Sequence, residues 1–119
     1  AKPTLAVTMG DPAGTGAELL AKALTQPDVL AVCRPIVIGD GGVLRAAAQI
    51  GGATAEVRVL ASPAEPARAG CIDVIDLQNV DPAKFKRGEV SAACGQAAYD
   101  YIRRAVALTL GGETHAVVT

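Results

Sequence analysis

A glycine-rich turn from Gly10 to Glu18 carries the residues of this chain that are best suited to bind a ligand. Its sequence is Gly-Asp-Pro-Ala-Gly-Thr-Gly-Ala-Glu, and it joins an apolar run ending at Met9 to a helical pattern beginning near Ala17. Glycine permits backbone angles and close approaches that a Cβ would prevent, and Pro12 fixes one φ between the glycines. Open α/β folds bind ligands at such strand-to-helix turns. The composition therefore predicts a binding loop of one fixed shape.

Two phosphate-binding motifs fit this turn incompletely. A Walker-type loop requires a lysine directly after its last glycine, whereas Ala17 follows Gly16 here. A dinucleotide-binding Gly-x-Gly-x-x-Gly motif would start at Gly14, but Leu19 replaces its third glycine. Asp40 lies where the ribose-binding acid of that motif is expected. The Walker interpretation therefore fails, and the dinucleotide interpretation has partial support.

The two carboxylates of the turn argue against a bare phosphate as its ligand. Asp11 and Glu18 flank the turn, and a negative side chain near a phosphate opposes the attraction supplied by a helix N-terminus. The turn is better suited to neutral hydroxyls, a ribose, a metal-bound group or a nearby basic side chain. A purely structural turn, in which Asp11 accepts backbone N–H hydrogen bonds, stays open as an alternative.

The other reactive side chains form no recognisable motif. Cys33, Cys71 and Cys94 are odd in number and widely spaced, which predicts buried free thiols rather than disulfides or a zinc site. His115 is the single histidine and has no partner motif, so we expect it to have a structural role.

Alternating apolar runs and helical patterns predict the elements that position the turn. The chain of 119 residues is 50% hydrophobic, as expected for one compact domain built from βαβ units and a largely parallel sheet. The predicted strands span about Thr4–Met9, Pro35–Ile38, Glu56–Leu60, Ile72–Asp76 and His115–Val118. The predicted helices span about Ala17–Leu24, Gly42–Ile50 and Ser91–Leu110.

Local signals mark the ends of these helices. The first should stop before Pro27, and Gly51 should close the second. Ser91 is placed to cap the third helix, and the stretch Gln78–Gly88 before it is predicted to be irregular. Spacings of three and four predict an apolar stripe along the third helix, formed by Cys94, Ala98, Tyr101, Ala105 and Leu108.

Charge and hydropathy exclude two classes of partner. The net charge is −1 and the basic residues are scattered, which argues against a nucleic-acid surface. No apolar run approaches the roughly 20 residues of a transmembrane helix, and no signal peptide is recognisable, so a cytoplasmic location is expected. The chain stops within an apolar run at Thr119 without a turn or cap, so we expect it to be part of a longer protein.

The turn and three later segments resemble the 4-hydroxythreonine-4-phosphate dehydrogenase family, in which a strand leads into Gly-Asp/Glu-Pro-Ala-Gly-Ile-Gly-Pro-Glu/Asp. The matching segments occur in the same order over essentially the whole chain; they are Val7–Glu18, Ile36–Asp40, Gly88–Gly95 and Thr114–Thr119. Two positions depart from the pattern, because Thr15 stands where the family usually has isoleucine and Ala17 where it usually has proline. Proline at the first helical position would preorganise the turn.

The resemblance implies a three-layer α/β/α fold with a mostly parallel sheet, like that of isocitrate and isopropylmalate dehydrogenases. Residues 1–119 would form a single α/β unit, the N-terminal portion of a longer two-domain dehydrogenase. Asp11, Gly14, Thr15 and Gly16 would lie beside NAD or NADP. Asp40 would then be structural rather than a ribose ligand.

The resemblance also implies the chemistry. The full-length protein would oxidise and decarboxylate 4-phosphohydroxy-L-threonine or a related four-carbon phosphorylated hydroxy acid, in pyridoxal phosphate synthesis or a similar pathway. A divalent metal, Zn, Mg or Co, would be bound by residues beyond this chain, and the 119-residue piece alone would be inactive. The family implies a homodimer. Two alternatives stay open: a non-catalytic flavodoxin-like binding module, and a Rossmann-type dehydrogenase that uses Asp40.

Overall fold

Strands and helices alternate along the chain as the apolar pattern predicts. A computed structural model describes residues 2–52 and 55–119. The strands are β1 (Thr4–Thr8), β2 (Arg34–Gly39), β3 (Glu56–Val59), β4 (Cys71–Asp76) and β5 (Ala116–Val118). The helices are α1 (Gly16–Ala23), α2 (Pro27–Val32), α3 (Gly41–Ile50) and α4 (Ala92–Leu110), with a short 3₁₀-helix at Pro82–Lys84. Each predicted strand is present, with its ends within one residue of the prediction.

The five strands form one sheet in the order β3-β4-β2-β1-β5, and every pairing is parallel. Connections between parallel strands are right-handed, so their direction across the sheet decides the face of each helix. The connections through α1 and α3 run towards β3, and the connection through α4 runs back towards β5. Helix α1 accordingly packs against α3, while α4 packs against β1, β2 and β5. The predicted three-layer α/β/α arrangement is confirmed.

The centre of the core lies on β1 and β2. Ala6, Ile36, Val37 and Ile38 are completely buried. Helices cover both faces of these strands, and the strands consequently have continuous apolar runs instead of alternating ones. These runs were the signal that identified them as strands of a parallel sheet.

The apolar stripe of α4 differs from the prediction at one position. The buried residues are Cys94, Ala97, Tyr101, Ala105 and Leu108, whereas Ala98 is only half-buried. Between Cys94 and Tyr101, Ala97 gives steps of three and then four residues, and Ala98 gives steps of four and then three. Both positions therefore fit the helical period equally well. Packing on the sheet therefore selects Ala97.

Two short helices were not predicted. Pro27 follows α1 as expected, but it also opens α2, where Gln26 accepts hydrogen bonds from the N–H groups of Val29 and Leu30. Proline is well suited to the first position of a helix because no intrahelical partner is required there for its missing N–H. Asp81 similarly accepts a hydrogen bond from Ala83 N, at 3.0 Å, at the start of the 3₁₀-helix in the stretch predicted to be irregular.

The cysteines and the histidine have structural surroundings. Cys33 and Cys94 are buried free thiols, as predicted, while Cys71 at the start of β4 is free and half-buried. The N–H of Thr4 donates to Nδ1 of His115 at 2.9 Å, and the N–H of His115 donates to the carbonyl of Thr4 at 2.8 Å. Through these two bonds His115 joins the start of β5 to β1.

Two glycines provide a matched test of this packing. A Cβ on Gly39, at the end of β2, would lie 2.6 Å from Cβ of the buried Met9, whereas one on Gly95, in α4, would meet nothing within 4 Å. We expect Gly39→Ala to lower the free energy of unfolding by roughly 1–3 kcal/mol. Gly95→Ala should raise it by roughly 0.5–1 kcal/mol, because alanine favours helix. Urea unfolding of the full-length variants measures both, and equal effects would contradict the packing described.

Candidate functional site

The predicted binding turn follows β1 at the carboxyl edge of the sheet. Its backbone reverses at Gly10, where φ is +77°, a conformation that favours glycine. The N–H of Ala13 donates to Oδ1 of Asp11 at 2.8 Å, and the N–H of Gly14 donates to the backbone carbonyl of Asp11 at 2.9 Å. Asp11 thus closes the turn through both its side chain and its backbone.

Close contacts explain the later glycines of the turn. A Cβ on Gly16 would overlap the backbone carbonyl oxygen of Met9, and one on Gly14 would lie 3.2 Å from the carbonyl oxygen of Asp11. Helix α1 starts at Gly16, and the exposed side chain of Thr15 makes no capping hydrogen bond. The N–H groups of a first helical turn have no partner within the helix. The turn therefore presents a hydroxyl and N–H donors near the sheet edge.

The 85–88 segment contacts this turn from the other side. The N–H of Gly88 donates to the carbonyl of Ala13 at 2.7 Å, and the guanidinium of Arg87 forms an ion pair with Glu18. A cavity of about 140 Å³ lies between the turn, α1, α3 and this segment, with Phe85 and Arg87 in its lining. No motif in the sequence singles out Arg87. The sequence gives one indirect signal for it, because a nearby basic side chain is among the partners that suit the two carboxylates of the turn.

Two carboxylates at neighbouring strand ends support the backbone. Oδ1 of the buried Asp40 accepts a hydrogen bond from Val43 N at 2.9 Å and caps α3. Oδ1 of Asp76, at the end of β4, accepts hydrogen bonds from Gly41 N and Gln78 N, both at 3.0 Å. In the structure Asp40 therefore caps α3.

A buried tyrosine lies beneath this edge. The Tyr101 hydroxyl donates to Oδ1 of Asn79 at 3.0 Å. Burial raises the pKa of Tyr101 above its usual value, and the carboxylates of Asp40 and Asp76 raise this pKa further. The raised pKa favours the protonated hydroxyl, which holds the loop that follows β4 through its bond to Asn79.

The last residue of the chain reaches the same edge. The Thr8 hydroxyl donates to Oγ1 of Thr119 at 2.7 Å, beside the start of the turn.

Across residues 2–52 and 55–119, no three histidine, cysteine or acidic side chains converge to hold a metal ion. A larger cavity, of about 480 Å³, opens at the opposite edge of the sheet, where β2 and β4 begin, and it does not include the turn.

Comparison with known proteins identifies the family. A family model described as pyridoxal phosphate biosynthetic protein PdxA matches residues 31–119. The chain belongs to the PdxA family. The match begins after the glycine-rich turn and includes β2 to β5.

Individual relatives of the PdxA family extend the similarity across the turn. The chain is 43% identical over 119 residues to a Symbiobacterium thermophilum protein provisionally named D-threonate 4-phosphate dehydrogenase, covering 99% of this chain and 36% of that protein. It is 36% identical to the 4-hydroxythreonine-4-phosphate dehydrogenase of Desulforapulum autotrophicum, covering 99% of this chain and 35% of the relative. The chain thus spans about a third of the length of these relatives.

Solved structures agree with this PdxA assignment. The 4-hydroxythreonine-4-phosphate dehydrogenase of Burkholderia phymatum superposes with a TM-score of 0.92 at 42% sequence identity, covering 98% of this chain and 36% of that one. No helix within the described ranges is long and apolar enough to cross a membrane.

Two substitutions separate the hydrogen bond that Asp11 accepts from the charge of its side chain. Asp11→Ala removes the acceptor for Ala13 N and should lower the free energy of unfolding by about 1 kcal/mol. Asp11→Asn retains an oxygen acceptor, so its midpoint of thermal unfolding should stay closer to that of the unmodified protein. A loss of stability that is equal in both variants would show that the hydrogen bond does not fix the turn.

Proposed function

We propose that the full-length protein is a NAD(P)- and divalent-metal-dependent dehydrogenase, acting on 4-phosphohydroxy-L-threonine or a related four-carbon phosphorylated hydroxy acid. The substrate hydroxyl would be oxidised and the product decarboxylated. Membership of the PdxA family carries this proposal, together with similarity to named dehydrogenases over 98–99% of the chain. Residues 1–119 would form the N-terminal portion of a two-domain, cytoplasmic, homodimeric enzyme and would be inactive alone.

The turn would form one wall of the nicotinamide cofactor site, through Asp11, Gly14, Thr15 and Gly16. The exposed hydroxyl of Thr15 and the first-turn N–H groups of α1 can donate hydrogen bonds to a ribose or an amide. Only Oδ1 of Asp11 is engaged in the described part of the chain, so Oδ2 is available to accept from a ribose hydroxyl. A Cβ on Gly10 would meet nothing within 4 Å, which leaves space against the backbone. These features suit a group rich in hydroxyls.

The cofactor supplies the hydride acceptor when it is bound, and the metal supplies a Lewis acid for the developing carbonyl. Within residues 2–52 and 55–119 no three histidine, cysteine or acidic side chains lie together to hold a metal ion. The residues described here would bind and orient the cofactor. In the proposed enzyme, the metal ligands and the groups that contact the reacting atoms come from the remaining two thirds of the relatives' length.

A substrate panel tests the proposed reaction. The full-length protein is incubated with NAD or NADP, a divalent cation and each of 4-phosphohydroxy-L-threonine, D-threonate 4-phosphate and erythronate 4-phosphate, while reduced cofactor is measured by absorbance. We expect turnover of one of these compounds and its loss on chelation of the cation. A non-catalytic binding module would turn over none of them with either cofactor.

Asp40 distinguishes the proposed site from a Rossmann-type one. Asp40→Ala removes the cap of α3 and should lower the free energy of unfolding by roughly 0.5–2 kcal/mol. The KM for the nicotinamide cofactor should stay near that of the unmodified enzyme. A KM raised by about an order of magnitude, about 1.4 kcal/mol, would favour a ribose contact instead. Asp11→Asn serves as the comparison, because our proposal expects it to raise that KM severalfold.

A further inference from the structure

We propose that Arg87 is a positioning residue that neutralises and holds Glu18, so that the turn can accept an anionic cofactor and substrate. This inference rests on the proposed function, since it concerns the same site. Neither the family pattern nor the local sequence of the turn assigns a role to Arg87, which comes from a segment predicted to be irregular.

The ion pair joins two separate parts of the chain beside the turn. Glu18 lies in the first turn of α1, two residues after Gly16, and its side chain is 32% exposed. Arg87 approaches from the 85–88 segment with its side chain 48% exposed. Lys22 follows Glu18 by one helical turn, but within the described ranges Arg87 is the cation that is paired with this carboxylate.

Glu18 has two opposing electrostatic effects at this place. A carboxylate in the first turn of a helix interacts favourably with the helix dipole. The same charge repels the phosphate groups of a nicotinamide dinucleotide and of a phosphorylated substrate if it is left uncompensated. Arg87 removes the repulsion while the carboxylate stays in place. The turn therefore keeps a stabilised helix start without a net negative charge from Glu18.

A separate contact holds the 85–88 segment in position. Gly88 N donates to the carbonyl of Ala13 at 2.7 Å through the backbone, and this bond does not involve the Arg87 side chain. Ion pairs between exposed side chains contribute little to folding stability. Substitution of Arg87 should therefore change the charge beside the turn while leaving the protein folded.

The test measures NADH affinity by fluorescence and cofactor KM against kcat in the full-length enzyme. Arg87→Gln should raise both Kd and KM about tenfold, with kcat at saturation nearly unchanged, and Arg87→Lys should retain most of the affinity. The double variant Glu18→Gln with Arg87→Gln should recover near-normal affinity, because it removes the repelling charge as well. The loss of affinity in Arg87→Gln should also decrease as ionic strength rises, because salt screens the repulsion from Glu18.

Lys86→Gln is the matched control. It removes the same charge from the adjacent exposed position, and in the described structure Lys86 forms no ion pair. We expect its Kd for NADH to equal that of the unmodified enzyme. An equal defect in Lys86→Gln, or a double variant as weak as Arg87→Gln, would overturn the role of Arg87.

The outcomes separate this inference from the proposed function. An unmodified enzyme that turns over a panel substrate, together with an Arg87→Gln variant of normal Kd and KM, rejects only the role of Arg87. An unmodified full-length protein that neither binds NADH nor turns over any substrate rejects both proposals.

Discussion

The shape of the turn depends on how closely the backbone surrounds Met9. Its N–H donates to the carbonyl of Ile38 at 3.0 Å, its side chain lies against Gly39, and its carbonyl oxygen lies against Gly16. Any side chain at either glycine would push the end of β1 away from β2 or from α1. The turn, the sheet edge and the start of the helix are therefore fixed by one tightly packed residue, which is 1% exposed.

Most of the fold could be predicted because its signals are local or periodic. Buried parallel strands leave continuous apolar runs, and Ser91 caps α4 through Cys94 N at 3.2 Å, as its position before the helix predicts. The exceptions have physical causes. Helix α2 has six residues, too few for a periodic pattern, and its opening proline resembles a helix end. Ala97 is buried in preference to Ala98 because of the way α4 packs on the sheet. The sequence of the helix alone does not encode that packing.

The candidate site was predictable only where it is contiguous in sequence. The turn closes through its own residues, so composition was sufficient to predict a fixed loop. Arg87 and Asn79 reach the sheet edge through tertiary packing, and no spacing reveals them. This difference matters for the charge of the turn. The sequence shows two carboxylates that oppose an anion, whereas in the structure Asp11 closes the turn and Glu18 is paired with Arg87.

The position of β5 has a consequence for the order of folding. Strand β1 pairs with β2, which is near in sequence, and with β5, where the N–H of Thr4 donates to Nδ1 of His115, 111 positions further along the chain. Contacts of such separation form slowly because a long loop must close first. During synthesis, β1, α1 and β2 can assemble around Met9 before β5 has left the ribosome. The turn would then acquire its shape early, and β5 would dock onto an edge that already exists.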